Sequence, residues 1–68
     1  MNEETFNLSI RKFLKTVGVG SQREIEQAVA RALAEGRIQG TESFPAKVRL
    51  EVAGLHLSVE FDGKIELQ

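Results

Sequence analysis

Sixty-eight residues without a cysteine allow one small domain at most, and they exclude a disulfide framework or a thiolate zinc site. Nine Lys plus Arg against ten Asp plus Glu leave a net charge of −1, which excludes a chain-wide attraction to nucleic acid or membrane but not a local patch. With 41% apolar and 28% charged residues the composition is that of a folded protein, whose stability must rest on one small apolar core or on self-association.

Met1-Asn2-Glu3-Glu4 is polar and acidic with no apolar stretch behind it, so no signal peptide is read there. No apolar run approaches membrane-spanning length. These features point to a soluble, cytoplasmic, single α+β domain over residues 1–68.

The first half carries a helical period. Phe6, Ile10, Phe13, Leu14 and Val17 share one face, Asn2 is placed to cap, and Glu3 and Glu4 sit in the first turn, where the helix dipole favours acids. Gly18 can take the left-handed conformation that closes a helix, so a first helix is predicted over 3–17. Ser21-Gln22-Arg23-Glu24 has the form of a capping box, and Ile25, Ala28, Val29, Ala32 and Leu33 repeat the stripe. A second helix is predicted over 22–35, closed by Gly36. With Gly18-Val19-Gly20 as the connection, the pair forms an αα-hairpin.

Residues 37–45 carry Ile38 and Phe44 as isolated apolar anchors, and Pro45 marks the entry to an extended segment. From Ala46 the alternation is strict: Val48, Leu50, Val52, then Leu55, Leu57, Val59, then Ile65, Leu67. Strands are predicted over 46–52, 55–61 and 64–68. A two-residue Ala53-Gly54 loop would set Val52 against Leu55, Leu50 against Leu57 and Val48 against Val59. The other face would pair Glu51 with His56, Arg49 with Ser58 and Lys47 with Glu60. A three-residue loop, Phe61-Asp62-Gly63 with Gly63 left-handed, keeps the same parity into the third strand. The expected architecture is an αα-hairpin followed by a three-stranded antiparallel meander, with both helices on one face of the sheet (ααβββ).

Chemistry has few footholds. His56 is the one histidine, and with Glu51 opposite it forms a carboxylate–imidazole pair on a wet hairpin face. A triad would need His56, Asp62 and one of Ser9, Ser21, Ser43 or Ser58, none of which sits in a nucleophile elbow. A metal site lacks a second imidazole or any thiolate. Gly18-Val19-Gly20-Ser21 opens the second helix as an anion-binding loop does, yet it has neither the Lys of a P-loop nor a third Gly. The sequence therefore assigns no catalytic, cofactor or metal residue. A partner-contact set is the remaining candidate, beside the ordinary reading of a solvated helix face with cations placed to suit the dipole. Arg11, Lys12, Lys15 and Arg23 form a cationic run without an acid between Thr5 and Arg23, and Leu8 projects among them away from the core stripe.

The run Phe6-Asn7-Leu8-Ser9-Ile10-Arg11-Lys12-Phe13-Leu14-Lys15, then Val17-Gly18-Val19 and Ser21-Gln22-Arg23-Glu24-Ile25-Glu26, resembles a family of short bacterial proteins classed as a domain of unknown function. Gly63-Lys64-Ile65-Glu66-Leu67 also fits that pattern, while Gly20 departs from it, a threonine being expected there. The resemblance implies a small bacterial cytosolic protein and brings no activity, cofactor or catalytic residue. The functional expectation is a non-enzymatic interaction module able to form homodimers. The alternative is a winged-helix-like nucleic-acid binder that uses the basic face of the first helix.

Overall fold

The computed structural model describes residues 1–68 and contains one helix and two strands. Helix α1 runs over Glu3–Ala34, strand β1 over Ser43–Val52 and strand β2 over Leu57–Glu66. The chain divides into two compact units, Met1–Glu35 and Gly36–Gln68.

The ends of α1 fall where the capping chemistry puts them. The Asn2 side-chain oxygen accepts from the Thr5 N–H at 3.0 Å, and Glu3 and Glu4 occupy the first turn. At the other end the Glu35 N–H donates to the Arg31 carbonyl at 3.0 Å, and Gly36 turns the chain away with φ +73°.

The predicted break at Gly18-Val19-Gly20 does not exist. The helix is continuous for 32 residues, so there is no αα-hairpin. Two interior glycines cost a helix about 1 kcal/mol each. A break would instead orphan four carbonyls and four N–H groups, each of which needs a new partner. Continuation wins that comparison, and Ser21, predicted as a cap, lies inside the helix.

Residues 36–42 form an irregular link whose amides converge on one carboxylate. Glu42 accepts from the N–H groups of Gln39 at 2.8 Å, Gly40 at 2.9 Å and Thr41 at 3.1 Å. Gly40, with φ +100°, lets the backbone wrap around that side chain.

The second unit is a single long hairpin, not a meander. β1 and β2 pair antiparallel from Ser43↔Glu66 to Val52↔Leu57, through Val48↔Phe61 and Leu50↔Val59. The tight turn is Ala53–Leu55 in 3₁₀ form, closed by His56 with φ 53°. The expected two-residue loop was two residues too short, so Leu50 faces Val59 rather than Leu57. A two-residue slip preserves parity. Phe44, Ala46, Val48, Leu50 and Val52 still share the face of Leu57, Val59, Phe61, Gly63 and Ile65.

The third strand fails for a related reason. Phe44 and Pro45 belong to β1, and they supply ladder partners for Ile65 and Lys64. With partners available out to Glu66, the chain has no need to turn at Asp62-Gly63, and Gly63 keeps an ordinary strand conformation opposite Ala46.

Candidate functional site

A continuous helix changes which residues meet. Ile10, Leu14, Val17, Ser21, Ile25, Ala28 and Ala32 follow steps of 4, 3, 4, 4, 3, 4. That is an eleven-residue repeat from Ile10 to Ser21 to Ala32, and it holds one line along a nearly straight helix. Phe6 and Phe13 widen the stripe at its start, and Val29 and Leu33 widen it on the other side at its end. Ala32 is buried, Val17, Ser21 and Val29 are half-buried, and the large side chains lie open. Phe6, Ile10, Phe13 and Leu14 are between 39% and 53% exposed.

The opposite face carries the partner-contact residues predicted from sequence. Leu8, Lys12, Lys15 and Arg23, with Val19 between the last two, follow steps of 4, 3, 4, 4, and Arg11 lies at the edge of this strip. All five predicted contact residues therefore stand on one side of one helix. They line two shallow grooves, one of Thr5, Leu8, Ser9, Arg11, Lys12 and Lys15, the other of Lys15, Thr16, Val19, Gly20 and Arg23. Leu8 is 57% and Val19 52% exposed, so each cationic groove has one open apolar side chain in its lining. Val19 was missed as a member because it was read as a connection between two helices. Its i+4 spacing from Lys15 was the available signal.

The other candidates disperse. His56 occupies the hairpin turn, and its N–H donates to the Ala53 carbonyl at 3.1 Å. Glu51 stands opposite Ser58, so the proposed cross-strand imidazole–carboxylate pair is not formed. Gly18, Val19, Gly20 and Ser21 are mid-helix, where their amides belong to the helical ladder and no anion loop exists. No group of three His, Asp or Glu stands together in a way that could hold a metal ion. On the polar face of the hairpin, Glu60 lies 3.8 Å from Lys47 and 3.4 Å from Arg49, whose guanidinium also lies 3.9 Å from Glu51. The expected Lys47–Glu60 association is present, as a diagonal contact across the ladder. These pairs are solvent-exposed and worth a fraction of a kcal/mol each.

The carboxyl of Glu42 has a displaced titration. The Gln39 amide first, then those of Gly40, Glu42 and Thr41, hold it below the ordinary value, against an opposing desolvation. No helix is long and apolar enough to cross a membrane.

A family model described as a family of unknown function, DUF6494, matches residues 1–68. The chain belongs to this family. The match spans all 68 residues, so α1 and the hairpin are both parts of the DUF6494 unit. No curated protein and no solved structure matches the chain.

Proposed function

We propose that this DUF6494 chain is an interaction module that works by binding another chain rather than by catalysis, with the apolar stripe of α1 as its binding surface. The exposure of Phe6, Ile10, Phe13 and Leu14 along that stripe carries the reading. A single helix has no interior of its own, and most helical stability in proteins comes from packing an amphipathic face. A two-stranded hairpin is likewise marginal alone in water. Both elements call for a partner surface.

Circular dichroism and sedimentation over a shared concentration series test this. Helicity should rise with concentration in step with molecular mass, and replacing Phe13 and Leu14 by Ser should abolish the rise. A chain that is fully helical and monomeric at the lowest concentration, and is unchanged by those replacements, would sink the reading.

The cationic strip favours a second reading, binding to nucleic acid. Lys12, Lys15, Arg23 and neighbouring Arg11 share one side of a helix that has no acid from Thr5 to Arg23. If all four touch phosphates, log affinity should fall with log salt with a slope of about −3.6 for duplex DNA. No binding to single- or double-stranded oligonucleotides at low salt would end this reading.

A further inference from the structure

We propose that the outer edge of β2 pairs antiparallel with β2 of a second copy of this chain, Asp62 opposite Asp62, joining two hairpins into one four-stranded sheet. This surface lies wholly within the second unit and is separate from the α1 stripe.

The ladder fixes which backbone groups are spare. The Leu67 N–H donates to the Glu42 carbonyl at 2.9 Å, one step beyond Ser43↔Glu66, so Glu42 and Leu67 form a hydrogen-bonded pair. The register runs without a bulge to Val52↔Leu57, so the alternation from that pair is unbroken. Even-numbered residues of β1 and odd-numbered residues of β2 therefore bond within the hairpin, and the others point outward. Pro45 falls in the outward row of β1 and interrupts it, having no N–H to give. The outward row of β2, Ser58, Glu60, Asp62, Lys64 and Glu66, is complete. Every residue from Ser58 to Lys64 is exposed, so this edge is open. A twofold β2–β2 pairing also closes, whereas β2 on β1 of the next copy would leave a free edge at each end and keep growing.

Charge selects the register. Centred on Asp62, the pairing sets Glu60 of each copy opposite Lys64 of the other, and Ser58 opposite Glu66. A centre at Phe61 would set Glu60 against Asp62. A centre at Gly63 would join Asp62 to Lys64 but set Glu60 against Glu66. Centres at Glu60 or Lys64 would oppose each of those residues to itself. Lys64 makes no ion pair within its own chain, while Glu60 already lies 3.8 Å from Lys47 and 3.4 Å from Arg49, on the β1 side. The one like-charge pair that remains is Asp62 with itself, and each Asp62 has Lys47 opposite it in its own hairpin.

The apolar face agrees with that register. Phe61 of one copy stands opposite Gly63 of the other, Val59 opposite Ile65 and Leu57 opposite Leu67. Phe61 is 61% exposed, and a methyl group added at Gly63 would meet nothing within 4 Å, so the ring has room beside the glycine. An aromatic ring set across a strand glycine covers its bare backbone. Two strands alone are marginal in water, and pairing supplies the three or more, with one apolar face, that a stable sheet needs.

Isotope-filtered NOE spectra of an equal mixture of labelled and unlabelled wild-type chains test the register without a substitution. A filtered cross-peak is expected between the Hα protons of Phe61 and Gly63 on different copies, because opposed residues of a non-hydrogen-bonded pair lie closest. The absence of native cysteine gives a second readout. In a glutathione buffer Asp62→Cys chains should self-link several-fold more than Glu51→Cys chains, whose cysteine is exposed on the outward row of β1. Lys64→Glu should weaken association by about tenfold, since it turns both attractive pairs into repulsive ones. A filtered contact in another register, equal linking of the two cysteine variants, undiminished association of Lys64→Glu or a wild-type chain monomeric at every concentration overturns the pairing. The α1 reading is decided separately, because Phe13 and Leu14 lie outside β2 and its readout is helicity.

Discussion

Ala46 and Gly63 stand opposite each other in the β1–β2 ladder, which places Asp62-Gly63 inside a strand rather than at a turn. Gly63 has no positive φ, and a methyl group added to it would meet nothing within 4 Å. Glycine in a strand interior costs roughly 0.5–1 kcal/mol relative to alanine. Gly63→Ala should therefore stabilise the hairpin by about that amount in chemical denaturation. Were Gly63 left-handed at a turn, the same change would destabilise it.

The turn itself carries the opposite strain. His56 adopts φ 53°, a left-handed conformation that non-glycine residues occupy at a cost of order 1 kcal/mol. His56→Gly should be neutral to stabilising by up to about 1 kcal/mol, since glycine gives up more unfolded-state freedom but escapes the steric penalty. His56→Val should destabilise, because a β-branched side chain tolerates this region worst. Thermal melts of the two variants report the sign. A more stable His56→Val would contradict the 3₁₀ turn over Ala53–Leu55.

How the sequence misled is visible in these same residues. Alternation specifies which face a strand residue occupies, and that assignment survived because the register error was an even number of residues. Loop length is only weakly specified. Ala53-Gly54 and Asp62-Gly63 each offer plausible two- or three-residue turns, and the ladder's demand for partners chose one long hairpin over two short ones. Phe44 and Phe61, taken for a loop anchor and a turn residue, were the unread members of the alternation. In the helix, Gly18 and the Ser21-to-Glu24 box are correct local signals for an end and a start. They lost to the eight backbone groups that a break would have stranded. The cationic strip was legible as a set because helical spacing survives continuation, whereas the His56–Glu51 pair depended on register and did not.

Continuity of α1 predicts that neither of two substitutions at the expected break destabilises the chain. Gly20 lies on the helix away from the stripe, with open space where a methyl would go. Gly20→Ala should stabilise the helix by about 0.8–1.0 kcal/mol. Ser21→Ala should be neutral or slightly stabilising, because an interior serine has a poorer helix propensity than alanine. At a true N-cap the same substitution costs about 1 kcal/mol. Melting followed at the helical circular-dichroism band separates the two cases, and a loss on Ser21→Ala would restore a helix start at that residue.

The segment of the second unit that precedes β1 should be acid-sensitive through Glu42. Its carboxylate accepts three backbone N–H groups, from Gln39, Gly40 and Thr41, and the Gln39 bond is the leading cause of its lowered pKa. The folded value thus lies below the ordinary 4.5, so the ionised form is the one the folded link prefers. Its stabilising contribution is fully present above about pH 4.5 and is lost as pH falls through the lower, folded value. Protonation removes charge from the acceptor of all three bonds, so the amide resonances of Gln39, Gly40 and Thr41 should titrate together with the Glu42 carboxyl, at a midpoint below the ordinary 4.5. Glu42→Gln should abolish that shared transition and speed hydrogen exchange at the three amides at neutral pH. A Glu42 midpoint at or above the ordinary 4.5, with no coupled amide shifts, would show that the carboxylate does not hold this segment. The +100° conformation at Gly40 would then need another explanation.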